Sequence, residues 1–230
     1  MKRYVRIIAI LAIFALIFVA LVASSVKTPD VAASAWNKSM LKGETESPAR
    51  HYIVYTDLMC PYCNYYAKVI QDNPEEFSAF LSEHKIAYEV RVTDMLYEGS
   101  GVSNSRPAAE AAYCAAREDR FWDFYAAAVS SLFSDYYVRG IGNSKTATPI
   151  TDMTRDYWLN VGKEVGLSDS FATCYENGEA IPEILENTQK AAQLTGGGLP
   201  SFSFGSFTTG GFDSSWDWEL TKKMLSAGLK

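Results

Sequence analysis

The sequence predicts an α/β domain with a large helical insertion, preceded by an N-terminal transmembrane helix. Three observations lead to this fold class. An apolar run near the start is long enough to cross a bilayer. Short β-branched and aromatic segments of strand length occur both early and late in the chain, and a long region of helical periodicity separates them. The 230 residues are sufficient for one domain with a sizeable core.

The N-terminal segment has the composition of a membrane anchor. Residues 1–6 include three basic side chains, and the mostly apolar run over residues 7–26 contains no charge. As a helix this run would be about 30 Å long, which matches the hydrocarbon core of a bilayer. A cleaved signal peptide is the alternative, although the only Ala-x-Ala site in the first 50 residues, Ala33-Ser34-Ala35, lies well beyond the run. In both cases the basic residues keep the N-terminus cytoplasmic and direct the rest outside.

The exported part of the chain is acidic. We expect residues 27–49, which are polar and lack periodicity, to be a linker, and residues 50–230 to form the folded domain. Residues 27–230 carry a formal charge of −9, because the first 26 residues hold three of the 21 basic residues and none of the 27 acidic ones. This charge argues against nucleic acid as a partner. All four cysteines lie in the exported part, where disulfides persist.

The domain begins with a strand and a cysteine-containing helix. The segment His51–Asp57 is β-branched and aromatic, as in a strand. Cys60-Pro61-Tyr62-Cys63 follows it at the start of a helical pattern that continues to about Asp72. The segment Ile86–Val92 alternates strictly between its two faces and is predicted to be a second strand.

A helical insertion is predicted over about residues 105–194. It follows a stretch rich in Gly, Ser and Asn over Tyr97–Pro107. Ser168 is expected to be the N-cap of a short helix that carries Cys174, and a last insertion helix is expected over Ile181–Leu194.

The pattern returns to strands after the insertion. Three glycines and a proline introduce a short aromatic strand, Ser201–Phe204, and "SFTTGGF" suggests its hairpin partner. A terminal amphipathic helix is predicted over Asp217–Leu225.

Two cysteines separated by two residues at a strand-to-helix junction are typical of a redox-active dithiol. Pro61 is preorganised for the first helical position, which makes Cys60 the helix N-cap. The helix dipole favours a thiolate at that position. Cys63 lies one turn further on, on the apolar face of the helix. We therefore expect Cys60 to be the catalytic nucleophile and Cys63 to be the resolving thiol.

Two other chemistries use the same spacing. A zinc site needs a second pair of ligands, but Cys114 and Cys174 are single residues far apart, and His51 and His84 have no ligand spacing. A purely structural link between Cys60 and Cys63 would close too short a loop to stabilise the fold much. We expect no metal and no cofactor.

The chain resembles the DsbA-like thiol-disulfide oxidoreductases over about residues 50–230. The matching segments are "DLMCPYC" after a strand, "AAEAAYCAAREDRFWDFY" and "FATC" in the insertion, and "GLPSFSFG" near the C-terminus. The resemblance implies a thioredoxin fold and an oxidase that introduces disulfides into exported proteins. It also implies two kinds of partner: unfolded or folding exported proteins with cysteines, and a quinone-linked membrane protein, DsbB-like or VKOR-like, that reoxidises the dithiol.

The resemblance also implies roles for residues around the motif. Leu199 and Pro200 correspond to the cis-proline loop of the family, where an extended substrate pairs with the backbone of the residue before the proline. Asp57, together with Pro61 and Tyr62, is expected to support the active site, with Asp57 either handling protons or acting structurally. Because Tyr62 offers no positive charge to a thiolate, unlike the histidine of the strongest oxidants, we expect a less oxidising centre.

Cys114 and Cys174 are predicted to form a second, structural disulfide inside the insertion. Neither lies in a Cys-x-x-Cys motif, and both lie on helical segments with apolar neighbours. Two other functions remain open for the chain. The same dithiol could serve a reductase or isomerase, and a chaperone or binding module with only structural disulfides would need no redox activity.

Overall fold

The computed structural model describes residues 38–205 and 207–229. The cytoplasmic segment 1–6 and the transmembrane anchor 7–26 predicted from the sequence lie outside the described residues. Within the two described ranges, no helix is both long enough and apolar enough to cross a membrane.

A mixed five-stranded sheet forms the centre of the described part, with the strand order β1-β3-β2-β4-β5. Strands β2 and β3 are parallel, and the other neighbouring pairs are antiparallel. The strands are β1 (Leu41–Gly43), β2 (Arg50–Thr56), β3 (Ile86–Val92), β4 (Ser201–Phe204) and β5 (Phe207–Gly210). The predicted α/β class is confirmed.

Helices surround this sheet, and a consecutive group of them forms the insertion between β3 and β4. The helices are α1 (Pro61–Asp72), α2 (Pro74–Glu83), α3 (Met95–Ser100), α4 (Ser105–Arg117), α5 (Phe121–Asp135), α6 (Arg155–Glu164), α7 (Asp169–Glu176), α8 (Ile181–Thr195) and α9 (Trp218–Ala227). Helices α4 to α8 therefore fill the predicted insertion. Ser168 caps α7 as expected, since its hydroxyl accepts a hydrogen bond from the N–H of Ser170 at 3.1 Å.

Structure begins before residue 50, which corrects the predicted end of the linker. Leu41–Gly43 pairs with β3 at the edge of the sheet, and the preceding Met40 is fully buried. Three residues are too few to show the alternation by which a strand is predicted.

Two helices were absent from the sequence prediction. Pro74 ends the motif helix as predicted, but it also occupies the first turn of α2. Proline is well tolerated there because the first backbone N–H groups of a helix have no partner within the helix. The short helix α3 lies partly inside the predicted Gly- and Ser-rich break and ends at Gly101, which has a left-handed backbone.

The two faces of the sheet are covered by different helices. On one face, Tyr66 of α1 packs edge-on against Phe202 with ring centres 5.0 Å apart, and Phe77 of α2 packs against Tyr88 at 4.9 Å. On the other face α8 packs across β2, β3, β4 and β5. Both faces of β2 and β3 are therefore buried, as is usual for parallel strands.

A disulfide joins two helices of the insertion. Cys114 of α4 and Cys174 of α7 are linked with their sulfur atoms 2.07 Å apart and their Cα atoms 5.8 Å apart. Both cysteines are buried in the apolar core. Close by, Arg155 of α6 donates hydrogen bonds to Glu110 at 3.0 Å and to the carbonyl of Tyr175 at 2.9 Å. Covalent and polar links therefore hold α4, α6 and α7 together.

Candidate active site

Cys60 and Cys63 lie where β2 passes into α1, at one end of the sheet. Cys60 has an extended backbone at the N-cap of α1, and Pro61 occupies the first turn. Both cysteines are free thiols in this structure. Their environments differ, since Cys60 is 5% exposed beside an open groove whereas Cys63 is 0% exposed. Of the two thiols, only that of Cys60 lines the groove.

The buried thiol of Cys63 is held among polar groups at the end of β2. The backbone N–H of Asp57 donates to its sulfur at 3.5 Å, and the Thr56 hydroxyl is a second hydrogen-bond partner. Burial, followed by the hydrogen bond and charge of Cys60, raises the pKa of the Cys63 thiol well above its usual value. Cys63 therefore stays protonated in the dithiol form at neutral pH.

The carboxylate of Asp57 ties three segments together beside the motif. Its Oδ1 accepts from the N–H of Met59 at 2.9 Å, and its Oδ2 accepts from the N–H of Leu96 at 2.9 Å and from the hydroxyl of Ser105 at 2.6 Å. Complete burial raises the pKa of Asp57 to about 6, although these three hydrogen bonds act in the opposite direction. The carboxylate therefore faces the α3 and α4 segments, whereas only the backbone of Asp57 contacts Cys63.

A groove of about 850 Å³ opens beside Cys60. Cys60, Pro61 and Tyr62 line it together with residues 100–104 and with residues of the insertion between 142 and 151. Lys145 is the only charged side chain among the residues that line the groove in the described part of the chain. The groove is thus a nearly neutral, open surface with the cysteine at its edge.

Leu199 and Pro200 lie at the same end of the sheet as the motif. The Leu199–Pro200 peptide bond is cis, and the next residue, Ser201, pairs with Tyr55 near the end of β2. Leu199 lines a shallow depression with Leu96, a residue that also lines the groove beside Cys60. Within residues 38–205 and 207–229, no hydrogen bond engages the backbone N–H or C=O of Leu199.

Asn64 and Tyr137 support the motif and were not found by the sequence analysis. The fully buried Asn64 donates at 2.7 Å both to the carbonyl of Leu58 and to the hydroxyl of Tyr137. These bonds connect the loop before Cys60 to the segment that follows α5. An asparagine inside an amphipathic helix carries no local signal of such a role, and its partner lies 73 residues away.

Among the residues that the structure describes, no group of three or more His, Cys, Asp and Glu side chains is arranged to hold a metal ion.

Comparison with solved structures identifies the fold. A thioredoxin-like oxidoreductase from Silicibacter pomeroyi superposes with a TM-score of 0.57 at 18% identity, over 88% of this chain and 96% of that one. MdbA, a thiol-disulfide oxidoreductase from Corynebacterium diphtheriae, gives 0.58 at 16% identity, over 85% and 90%. The thiol-disulfide exchange protein alpha-DsbA2 from Wolbachia pipientis gives 0.54 at 20% identity, over 81% and 85%.

The chain therefore shares the thioredoxin-like fold of these solved structures. The resemblance stated from the sequence is confirmed at the level of the fold. No protein-family model and no curated protein matches the sequence.

Proposed function

We propose that this protein is a thiol-disulfide oxidoreductase that transfers its Cys60–Cys63 disulfide to exported proteins. The observation that carries the proposal is the unequal placement of the two thiols. Cys60 lies at a helix N-terminus beside an open groove, whereas Cys63 is fully buried and has a raised pKa. A chaperone or binding module with only structural disulfides gives no reason for a free, unequal pair of this kind.

The exchange proceeds through a mixed disulfide. A substrate thiolate attacks the Cys60 sulfur of the oxidised protein, the Cys60–Cys63 bond breaks, and the electron pair leaves on Cys63. The Asp57 N–H and the Thr56 hydroxyl face the sulfur on which this charge develops. A second substrate thiolate then attacks the substrate sulfur of the mixed disulfide. It releases Cys60 as a thiolate, so the substrate gains a disulfide and the protein holds two electrons as a dithiol.

Substrate binding is assigned to the groove and to the cis-proline loop. The unpaired backbone of Leu199 offers one N–H and one C=O to an extended chain, as in the addition of a strand to a sheet edge. Pro200 orients this backbone, and Pro61 and Tyr62 support the motif from the other side. Because Lys145 is the only charge along the groove in the described residues, we expect substrates with an acidic residue near the cysteine to react faster. Lys145→Glu should reverse that preference in exchange assays with paired acidic and basic peptides.

We infer that the dithiol works as an oxidase, that residues 7–26 anchor it with the domain outside the cytoplasm, and that a quinone-linked membrane protein of DsbB or VKOR type reoxidises it. An oxidase needs a disulfide that is less stable than those it forms in its substrates.

The equilibrium redox potential of the full-length protein against glutathione tests the direction. We expect a value between those of the strongest oxidants, about −120 mV, and of glutaredoxins, about −200 mV, because Tyr62 lacks a positive charge. Cys60→Ser and Cys63→Ser should both abolish the oxidation of a reduced protein, because neither variant can form the Cys60–Cys63 disulfide. With a disulfide-containing substrate, Cys63→Ser should accumulate the mixed disulfide, because the Cys60 thiolate attacks the substrate disulfide and one substrate thiolate leaves. A potential near that of thioredoxin, about −270 mV, would assign the dithiol to a reductase instead.

A further inference from the structure

A second cavity lies on the sheet face covered by α1, α2 and α5, apart from the groove beside Cys60. We call it the interhelical pocket and define it by its five aromatic side chains, Tyr66, Phe77, Tyr88, Trp122 and Tyr125. Its volume is about 300 Å³, at the lower end of the range for small-molecule sites. The thiol chemistry proposed above does not use it.

The walls of the interhelical pocket suit a flat aromatic ring. Phe77 and Tyr88 stand edge to face with ring centres 4.9 Å apart, and Trp122 and Tyr125 do the same at 6.2 Å. Val54 and Val90 complete the floor from the sheet. Aromatic rings gain energy from edge-to-face and offset contacts beyond the area that they bury. A planar aromatic ligand could therefore make further edge-to-face and offset contacts with these side chains.

Two nitrogen-bearing side chains of the interhelical pocket have no hydrogen-bond acceptor among the described residues. The ammonium of Lys42 lies 4.4 Å from the centre of the Trp122 ring and makes no ion pair in the described part of the chain. Burial lowers the pKa of Lys42, although the charge of Asp123 opposes this effect. The Nε2 atom of Gln71 is buried without a hydrogen-bond partner among the described residues. A cation without an ion pair and an unused buried donor both favour an anionic acceptor.

We propose that the interhelical pocket binds a small aromatic carboxylate, with its ring between the aromatic walls and its carboxylate against Lys42 and Gln71. The volume holds about ten water-sized groups, which fits one bicyclic acid and excludes a folded peptide segment. A neutral aromatic molecule would fill the same space but would offer no carboxylate acceptor to Lys42 and Gln71.

Calorimetric titration of the full-length protein with 2-naphthoate tests the proposal, with the neutral 2-naphthalenemethanol as the matched probe. We expect 2-naphthoate to bind at least about tenfold more tightly than the alcohol, a ratio equivalent to about 1.4 kcal/mol. Lys42→Met keeps the apolar stem and removes the charge, so it should abolish this preference. Lys190→Met, on α8 across the sheet, removes an exposed lysine outside the pocket and should leave both affinities unchanged.

A second variant closes the pocket without changing its charge. Ser78 is exposed on α2 at the rim, so Ser78→Trp can cover the opening without replacing a core side chain. We expect this variant to lose binding of both probes while it unfolds at the wild-type urea concentration. The proposal is overturned if 2-naphthoate binds more weakly than about 1 mM. It is equally overturned if Lys42→Met or folded Ser78→Trp binds both probes as the wild type does.

Discussion

Replacement of Asp57 by asparagine should change how the stability of the protein depends on pH. The carboxylate is completely buried, and its pKa is raised from 3.8 to about 6. The folded state therefore holds this proton more tightly than the unfolded chain does. The resulting stabilisation is fully present below about pH 3.8 and is lost as the pH rises through about 6. A shift of about two pKa units corresponds to about 3 kcal/mol in the free energy of unfolding.

The side chain introduced by Asp57→Asn is neutral at every pH, so the variant should lack this pH-dependent stabilisation. It keeps one side-chain oxygen as an acceptor but loses the second, which in the wild type serves both Leu96 and Ser105. That loss lowers stability by a constant amount, about 1–3 kcal/mol for an unpaired buried group. The difference between the two unfolding free energies should therefore be largest near pH 4 and should shrink by about 3 kcal/mol towards pH 8.

Urea unfolding of both proteins at several pH values, in a single redox state, measures this difference. Urea is preferred to guanidinium because a salt would screen the charges under study. Asp72→Asn is the matched control, because it makes the same chemical change at an exposed carboxylate of α1. Parallel pH profiles for wild type and Asp57→Asn would refute the reasoning, as would a difference that grows with pH.

Three further predictions concern the two free thiols, the disulfide of the insertion and the buried Asn64. In the reduced protein near pH 8, iodoacetamide should modify Cys60 at least about tenfold faster than Cys63, which is buried with a raised pKa. Mass spectrometry of the cysteine-containing peptides gives both rates. Equal rates would contradict the assigned roles. Replacing Cys114 and Cys174 by alanine should lower stability by about 4 kcal/mol, because their disulfide closes a loop of 60 residues. This is measurable as a lower midpoint of urea unfolding, and an unchanged midpoint would count against the link. Asn64→Ala should lower the free energy of unfolding by about 1–3 kcal/mol, because two buried acceptors lose their donor. If alanine at an exposed helical position lowers it equally, only helix propensity has changed.

The motif helix and the longer strands were predictable because their signals are local. Cys60 and Pro61 specify the start of α1 by their own chemistry, and the alternation of Ile86–Val92 spans a full seven-residue strand. The strand Leu41–Gly43 is too short to alternate detectably, and its position depends on pairing with β3. Pro74 was interpreted only as a stop, although the same residue begins the next helix.

The supports of the active site were hidden because they depend on tertiary structure. Ser105 meets Asp57 across 48 positions and Tyr137 meets Asn64 across 73. No spacing rule connects such pairs, and a buried asparagine resembles an exposed one in sequence. Only the position of Asp57, three residues before Cys60, pointed to a role, and it left open whether that role was proton transfer or support.

These contacts explain how the helical insertion can control the position of the motif. The loop before Cys60 is bonded to α3 and α4 through Asp57 and to the segment after α5 through Asn64. Because α4 is itself fixed to α7 by the disulfide, movement of the insertion would displace the loop that carries the nucleophile. The same insertion also lines the groove beside Cys60. Loss of the Cys114–Cys174 link should therefore slow exchange with protein substrates more than exchange with glutathione, which needs only the Cys60 sulfur. Equal slowing of both reactions would mean that the disulfide serves stability alone.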